Sequence, residues 1–239
     1  MDEHFFTRRR GYATTLCDLR HRRVYDVVLG RSEQSLEGYF SRLAGRERVR
    51  LVCIDLSATY RSIVRRHFPR AKIVADRFHV IRLVNHHFLA TWRMLDPMSS
   101  GSRGLLSLMR RHEDRLSEEQ RSRLASYFKA HPEMGAIWSV RDELCGMLRR
   151  KTLCENTCRK LIPQLLSLLS RLRDSGLESL VRLGNTLSEW IEEIVCMWRY
   201  TRNNGITEGF HNKMEMISRR AYGFRNFENY RLRVRALCC

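Results

Sequence analysis

From residue 78 to residue 198 the chain carries no strand signal, whereas the stretch before it carries several, and this asymmetry limits the folds available to it. Residues 11–19 read GYATTLCDL and residues 22–29 read RRVYDVVL, both rich in β-branched and aromatic types. Arg20 and His21 make a tight connection between them, so a β-hairpin is expected, ended by Gly30. Ser32 then caps a helix with Leu36, Tyr39, Phe40 and Leu43 on one face; with serine at position 35, the full capping box is not expected. Residues 49–54 (VRLVCI) and 71–75 (AKIVA) are short apolar runs that predict strands buried on both faces. Between them a helix capped by Ser57 runs to about His67, with Tyr60, Ile63 and Val64 inward. This order gives a mixed α/β sheet, antiparallel first and parallel after.

Beyond the last strand the apolar positions recur at helical spacing. Helices are expected at 79–94, 103–111, 117–129, 132–149, 155–173 and 178–198. They are separated at Asp96-Pro97, Ser99-Ser100-Gly101, His131-Pro132 and Ser175-Gly176. Three regions follow: 1–92 with the strands, 93–197 as a helical insertion, and 198–239 as a C-terminal helical pair.

Charge narrows the partner. The formal net charge is +18 over 239 residues. An excess this large costs self-repulsion and attracts polyanions, and arginine, which supplies most of it, matches phosphate with its planar fork. A nucleic-acid partner is expected. No apolar run reaches the length of a membrane span and the start, MDEHFFTRRR, lacks the order of a signal peptide. A cytoplasmic protein is therefore expected. The eight cysteines include no Cys-x-x-Cys pair and read as reduced, mostly buried small hydrophobes.

Asp55 and Asp76 each follow a predicted parallel strand, where ligand groups of open α/β sheets gather. Each alone is an ordinary cap or loop aspartate; two on neighbouring strand ends can share one mouth. Asp76 and His79 form Asp-x-x-His, which puts carboxylate and imidazole on one side of a helix start. Near the C-terminus, Asn203-Asn204-Gly205 is a turn signal, Thr207 can cap the helix that follows, and Gly223 supplies its stop. Phe210, Met214, Ile217 and Ala221 make the core face of that helix. Glu208, Asn212, Glu215 and Arg219 lie opposite, with His211 at the edge. Two aspartates and a glutamate on separate elements suit two hard divalent cations, and such a pair can drive displacement at a phosphodiester.

Two segments carry a resemblance. IDLSATYRSIVRRHFPRAKIVADRFHVIRLVN and NNGITEGFHNKMEMISRRAYGFRNFENYRLRV resemble the DDE transposases of bacterial insertion sequences, in the insertion-sequence "L-three" group. The resemblance covers essentially the whole chain. It implies an RNase H-like mixed sheet interrupted by an all-helical insertion. It also implies metal-dependent DNA cleavage and strand transfer with Mg²⁺ (or Mn²⁺), a homo-oligomer bridging transposon ends and target, and a nucleoid-associated place in a bacterial cytoplasm.

By the resemblance Asp2, Asp55 and Glu208 are catalytic and metal-binding. Asp76, His79 and Asn212 support the site, and Arg219, Arg220, Arg225, Arg231 and Arg233 bind DNA. The family pattern at the first aspartate is an apolar run before Asp-Glu, matched here by Asp2-Glu3 with only Met1 ahead of it. The expectation is thus an N-terminally truncated first strand, no upstream zinc-binding or helix-turn-helix region, a weakened sheet and little or no transposition. The rival readings are a non-catalytic DNA-binding remnant and an RNase H-like nuclease without strand transfer.

Overall fold

The computed structural model describes residues 1–8, 10–200 and 205–238, with the backbone alone for 205–208. It is a mixed α/β chain, mostly helical, with two small sheets. Two compact units divide it: Met1–Asp76 with Thr201–Cys239, and Arg77–Tyr200.

The first unit holds all the described strands. β1 (Asp2–Thr7), β2 (Gly11–Asp18) and β3 (Arg23–Leu29) form an antiparallel sheet in that order. The first strand, expected to be cut short at Asp2, spans six residues from Asp2 onward and pairs Asp2 with Thr15 and His4 with Ala13. The β2–β3 turn is held by Asp18, whose carboxylate accepts from the backbone N–H groups of Arg20 and His21. β4 (Leu51–Ile54) and β5 (Lys72–Ala75) pair in parallel. They are not buried on both faces as expected. Leu51 and Lys72 are exposed while Val52, Ile54, Val74 and Ala75 are buried.

Alternation along β2 assigns the faces. Thr14 turns to α2 (Ala58–His67), where its hydroxyl meets Tyr60 at 2.9 Å. Ala13 turns the other way, into a core with Met214 and Ile217 of α11 (Gly205–Arg220) and Phe227, Tyr230 and Val234 of α12 (Phe227–Cys238). A register shift beyond Leu16 lets both Val24 and Val27 of β3 join that core. On the Thr14 side, α1 (Glu33–Ser41) buries Leu36 and Phe40. Its capping box is complete after all. The Ser35 hydroxyl accepts from Ser32 N–H at 3.0 Å, doing what glutamate does in the usual pattern. α2 is capped by Ser57 and buries Tyr60, Ile63 and Val64, as its period predicts.

The second unit is all helix: α3 (Arg77–Leu95), α4 (Pro97–Ser100), α5 (Arg103–Met109), α6 (Glu118–Ala130), α7 (Pro132–Arg149), α8 (Glu155–Arg173), α9 (Glu178–Glu189) and α10 (Ile191–Tyr200). α3 packs on α7 and α9, and α8 on α9. Phe88, Trp92, Met109, Leu124, Met134 and Trp138 fill the core among α3, α5, α6 and α7. The single helix expected at 178–198 is two helices, broken at Trp190. Buried Arg77 ties the unit together: it donates to the carbonyls of Leu148 and Arg150 at the end of α7, and of Met197 in α10, at 2.9–3.0 Å. Those are carbonyls at the C-terminal ends of helices, where the intrahelical ladder runs out of donors. Cys145 and Cys158 are buried thiols, but Cys154 is exposed.

Candidate active site

The site is built where strands of the first unit begin and end. Met1 N–H donates to Cys53 O at 2.6 Å, which lays the start of β1 against the last residues of β4. Asp2 therefore follows the contact on one strand and Asp55 follows it on the other. On the far side of β4, Asp76 N–H donates to Ile54 O at 2.6 Å as β5 ends. Ser57 N–H donates to Asp55 O at 2.7 Å and turns the chain straight into α2.

One side chain registers both aspartates. Burial pushes the Tyr60 hydroxyl well above the usual phenol range, and the charges of Glu3, Asp55 and Asp2 push it further, against the hydrogen bond to Thr14. Asp2 Oδ1 accepts from Glu3 N–H at 2.8 Å, and Oδ2 stands 3.7 Å from His211 Nδ1 on α11. The Asp55 Oδ1 atom is buried.

Around Asp2 lies a polar relay that the sequence reading missed. Tyr230 hydroxyl meets His4 Nε2 at 2.9 Å, and His4 Nδ1 meets Thr15 Oγ1 at 2.9 Å. Thr15 Oγ1 in turn lies 3.3 Å from His211 Nε2. Burial lowers the His4 imidazole to about 4, with His211 adding to the shift and Asp2 opposing it. His4 is thus a neutral ring at physiological pH. A signal existed: His4 lies two residues after Asp2 on a strand, hence on the same face. Its partners at 15, 211 and 230 are remote in sequence.

α11 carries Glu208, and His211 follows one helical turn later. The Glu208 side chain and the turn read at Asn203-Asn204 lie outside the described residues. The helix is described from Gly205, so Thr207 lies within it and is not its cap. Asn212, Arg219, Arg220, Arg225 and Arg233 are exposed. Arg219 pairs with Glu215 at 2.6 Å, and Arg233 lies over the Phe224 ring at 5.9 Å. Arg231 is engaged: its Nε and Nη2 grip the two oxygens of Asp26 at 2.7 and 2.6 Å. His79 is half-buried on α3 in the helical unit. Among the described residues no three His, Cys, Asp or Glu side chains converge as a metal-ion cluster.

The sequence model of the DDE transposases of the ISL3 group, described as "Transposase", matches residues 1–234. The chain belongs to the ISL3 family of DDE transposases. A curated relative is the transposase for insertion sequence element IS1001 of Bordetella parapertussis, 28% identical over 251 residues. The alignment takes in 99% of this chain and 59% of the relative, so the chain spans about three-fifths of that transposase's length. No solved structure matches. DDE transposases generally use divalent metal ions and act on DNA. Among the described residues of this transposase-family chain, no helix is long and apolar enough to cross a membrane.

Proposed function

We propose that the chain is the catalytic domain of an insertion-sequence transposase with an RNase H-like core, cutting and joining DNA at transposon ends. The observation that carries the reading is the convergence of the β1 start, the β4 end and α11 on Asp2. In the β4–β5 pair, Lys72 N–H donates to Arg50 O and Lys72 stands opposite Leu51. By the same rule of parallel ladders, the Asp76–Ile54 bond sets Asp76 opposite Asp55. The Met1–Cys53 bond sets Asp2 opposite Asp55 if β1 runs parallel to β4. An antiparallel trio β1–β3 beside a parallel pair, interrupted by a helical unit before α11, supports the RNase H-like assignment.

The donors fit the cofactor class: Asp2, Asp55 and Glu208 offer carboxylate oxygens, the preferred ligands of Mg²⁺ and Mn²⁺. Held by these carboxylates, such ions would supply activation of a water or a 3′-hydroxyl and charge stabilisation at the leaving oxygen. The chain's own residues do the rest. His211 restrains the Asp2 carboxylate and seats α11 against the sheet, one turn from Glu208. Asn212 and the exposed Arg219, Arg220, Arg225 and Arg233 face the backbone, where arginines hold phosphates and set register. Asp76, at the end of β5, supports the site. Synapsis of two ends calls for a homo-oligomer.

The test is a Mg²⁺-dependent cleavage and strand-transfer assay on insertion-sequence end DNA, comparing the wild type with Asp55→Asn and Glu208→Gln. Both variants should lose chemistry, by roughly 10³-fold or more, while binding DNA as before. Equal activity in all three overturns the catalytic assignment. DNA binding by the wild type without chemistry indicates a binding remnant, and cleavage without joining indicates a nuclease.

A further inference from the structure

The turn that closes α11 holds a residue that local energetics would not choose. Gly223 N–H donates to Ser218 O at 2.8 Å and Tyr222 N–H donates to Arg219 O at 3.0 Å. This is the paired-bond ending of a helix in which the residue after the cap adopts the left-handed conformation. Glycine fills that place at least cost, because a Cβ there crowds the following carbonyl. Where the chain turns out of α8, the left-handed residue is Gly176, at φ +69°. Here the residue is Tyr222, at φ +52°, and the glycine expected to stop the helix, Gly223, comes one place later at φ +88°.

The side chain recovers nothing by burial. Tyr222 is 101% exposed, the highest value among the described large apolar residues that face water. A bulky residue with positive φ and a ring in solvent is doubly unfavourable, and backbone strain of this kind clusters at ligand-contact positions. Its neighbours indicate the ligand. Arg219, Arg220 and Arg225 lie within three residues of it in the chain, and all are exposed. Arginines alone hold a phosphate backbone. An exposed aromatic face among them adds a surface for a planar, apolar, uncharged group attached to that backbone, which is a nucleobase. A base inside a duplex already has both faces covered. The base that can use this ring is therefore unpaired.

We infer that Tyr222 is a base-stacking residue that takes an unpaired DNA base while Arg219, Arg220 and Arg225 neutralise the adjoining phosphates. The inference rests on the DNA reading above but not on the chemistry of the carboxylates. It names a contact of the α11–α12 turn with single-stranded or frayed DNA, such as a strand opened at a cut end.

The experiment uses the full chain and two probes, a blunt duplex and the same duplex with a short unpaired tail carrying 2-aminopurine. Wild type and Tyr222→Phe should bind the tailed probe more tightly and quench its fluorescence. Tyr222→Gly should lose the quenching and bind the tailed probe roughly 5- to 150-fold more weakly, with duplex affinity unchanged. Its melting temperature should equal or exceed that of the wild type, since glycine removes the strain. Unchanged tailed-probe binding by Tyr222→Gly overturns the stacking role. A fall in melting temperature with equal losses on both probes overturns it in favour of a structural role. A change in oligomeric state with unchanged DNA binding overturns it in favour of a contact between copies. A wild type that binds neither probe overturns the DNA reading itself.

Discussion

Arg231 shows how little a residue's sequence neighbourhood says about its work. It sits in an arginine-rich helix and reads as a phosphate ligand, yet its fork grips Asp26 on β3 through two short bonds. Tyr39 of α1 donates to the same carboxylate at 3.0 Å. Burial pushes the Asp26 carboxyl up, but hydrogen bonds from Arg231, Val27 N–H and Tyr39 outweigh it and hold it below the usual carboxylate range. Asp26→Asn should therefore destabilise the first unit by about 1–3 kcal/mol, because it takes the charged partner from the half-buried Arg231 guanidinium. Asp26→Asn with Arg231→Met should cost less than the two single changes summed, as urea denaturation would measure. The sign with pH follows from the lowered pKa. The contribution of the pair is present above the ordinary carboxylate range and is lost as pH falls through the folded value. Stability of the wild type should decline over that acid window while the Asn variant declines less. DNA binding separates the arginines further. Arg225→Ala should reduce the salt dependence of binding by about one phosphate contact, whereas Arg231→Met leaves it unchanged if its fold is intact.

Helix ends were where the elements departed from their sequence reading. Most helices and strands were legible because period 2 and period 3.6 survive in the first and second units. The break at Trp190 was not, since buried Leu180, Leu183, Leu187, Trp190, Ile194 and Met197 keep helical spacing straight through it. Nor was the tight α8–α9 approach. A Cβ on Gly184 would lie 2.8 Å from Arg173 Cγ and 3.1 Å from Leu169 O. Gly184→Ala should thus destabilise the helical unit by ~1–3 kcal/mol, despite the better helix propensity of alanine. A gain in stability measured by chemical denaturation would mean that α8 and α9 give way easily. Of the candidate site, Asp55 and Asp76 are legible from strand ends and Asp2 only from the family pattern. The relay through His4, Thr15, His211 and Tyr230 is not, since only the folded sheet brings those positions together. His211→Ala should weaken Mn²⁺ binding and raise the Mg²⁺ concentration needed for chemistry, with His211→Gln intermediate. An unchanged metal requirement would deny His211 its hold on Asp2.

At the scale of the whole molecule, the two units differ in how they are drawn from the chain. The helical unit is one continuous stretch, Arg77–Tyr200, locked by Arg77 on the carbonyls of Leu148, Arg150 and Met197. Arg77→Met should destabilise this unit by ~1–3 kcal/mol, since it removes a charged donor from three carbonyls, and tryptophan fluorescence would follow it because all four tryptophans lie there. The other unit takes its strands from residues before Arg77 and the helices that cover the Ala13 face from residues after Tyr200. On a ribosome adding about 5–20 residues per second, the sheet is therefore made on the order of ten seconds before α11 and α12 exist. For that interval Ala13, Val24 and Val27 face solvent or a chaperone, while the helical unit can fold as it emerges. The order of birth runs opposite to the order of need: the face that seats Asp2 is synthesised before the helical unit and covered after it.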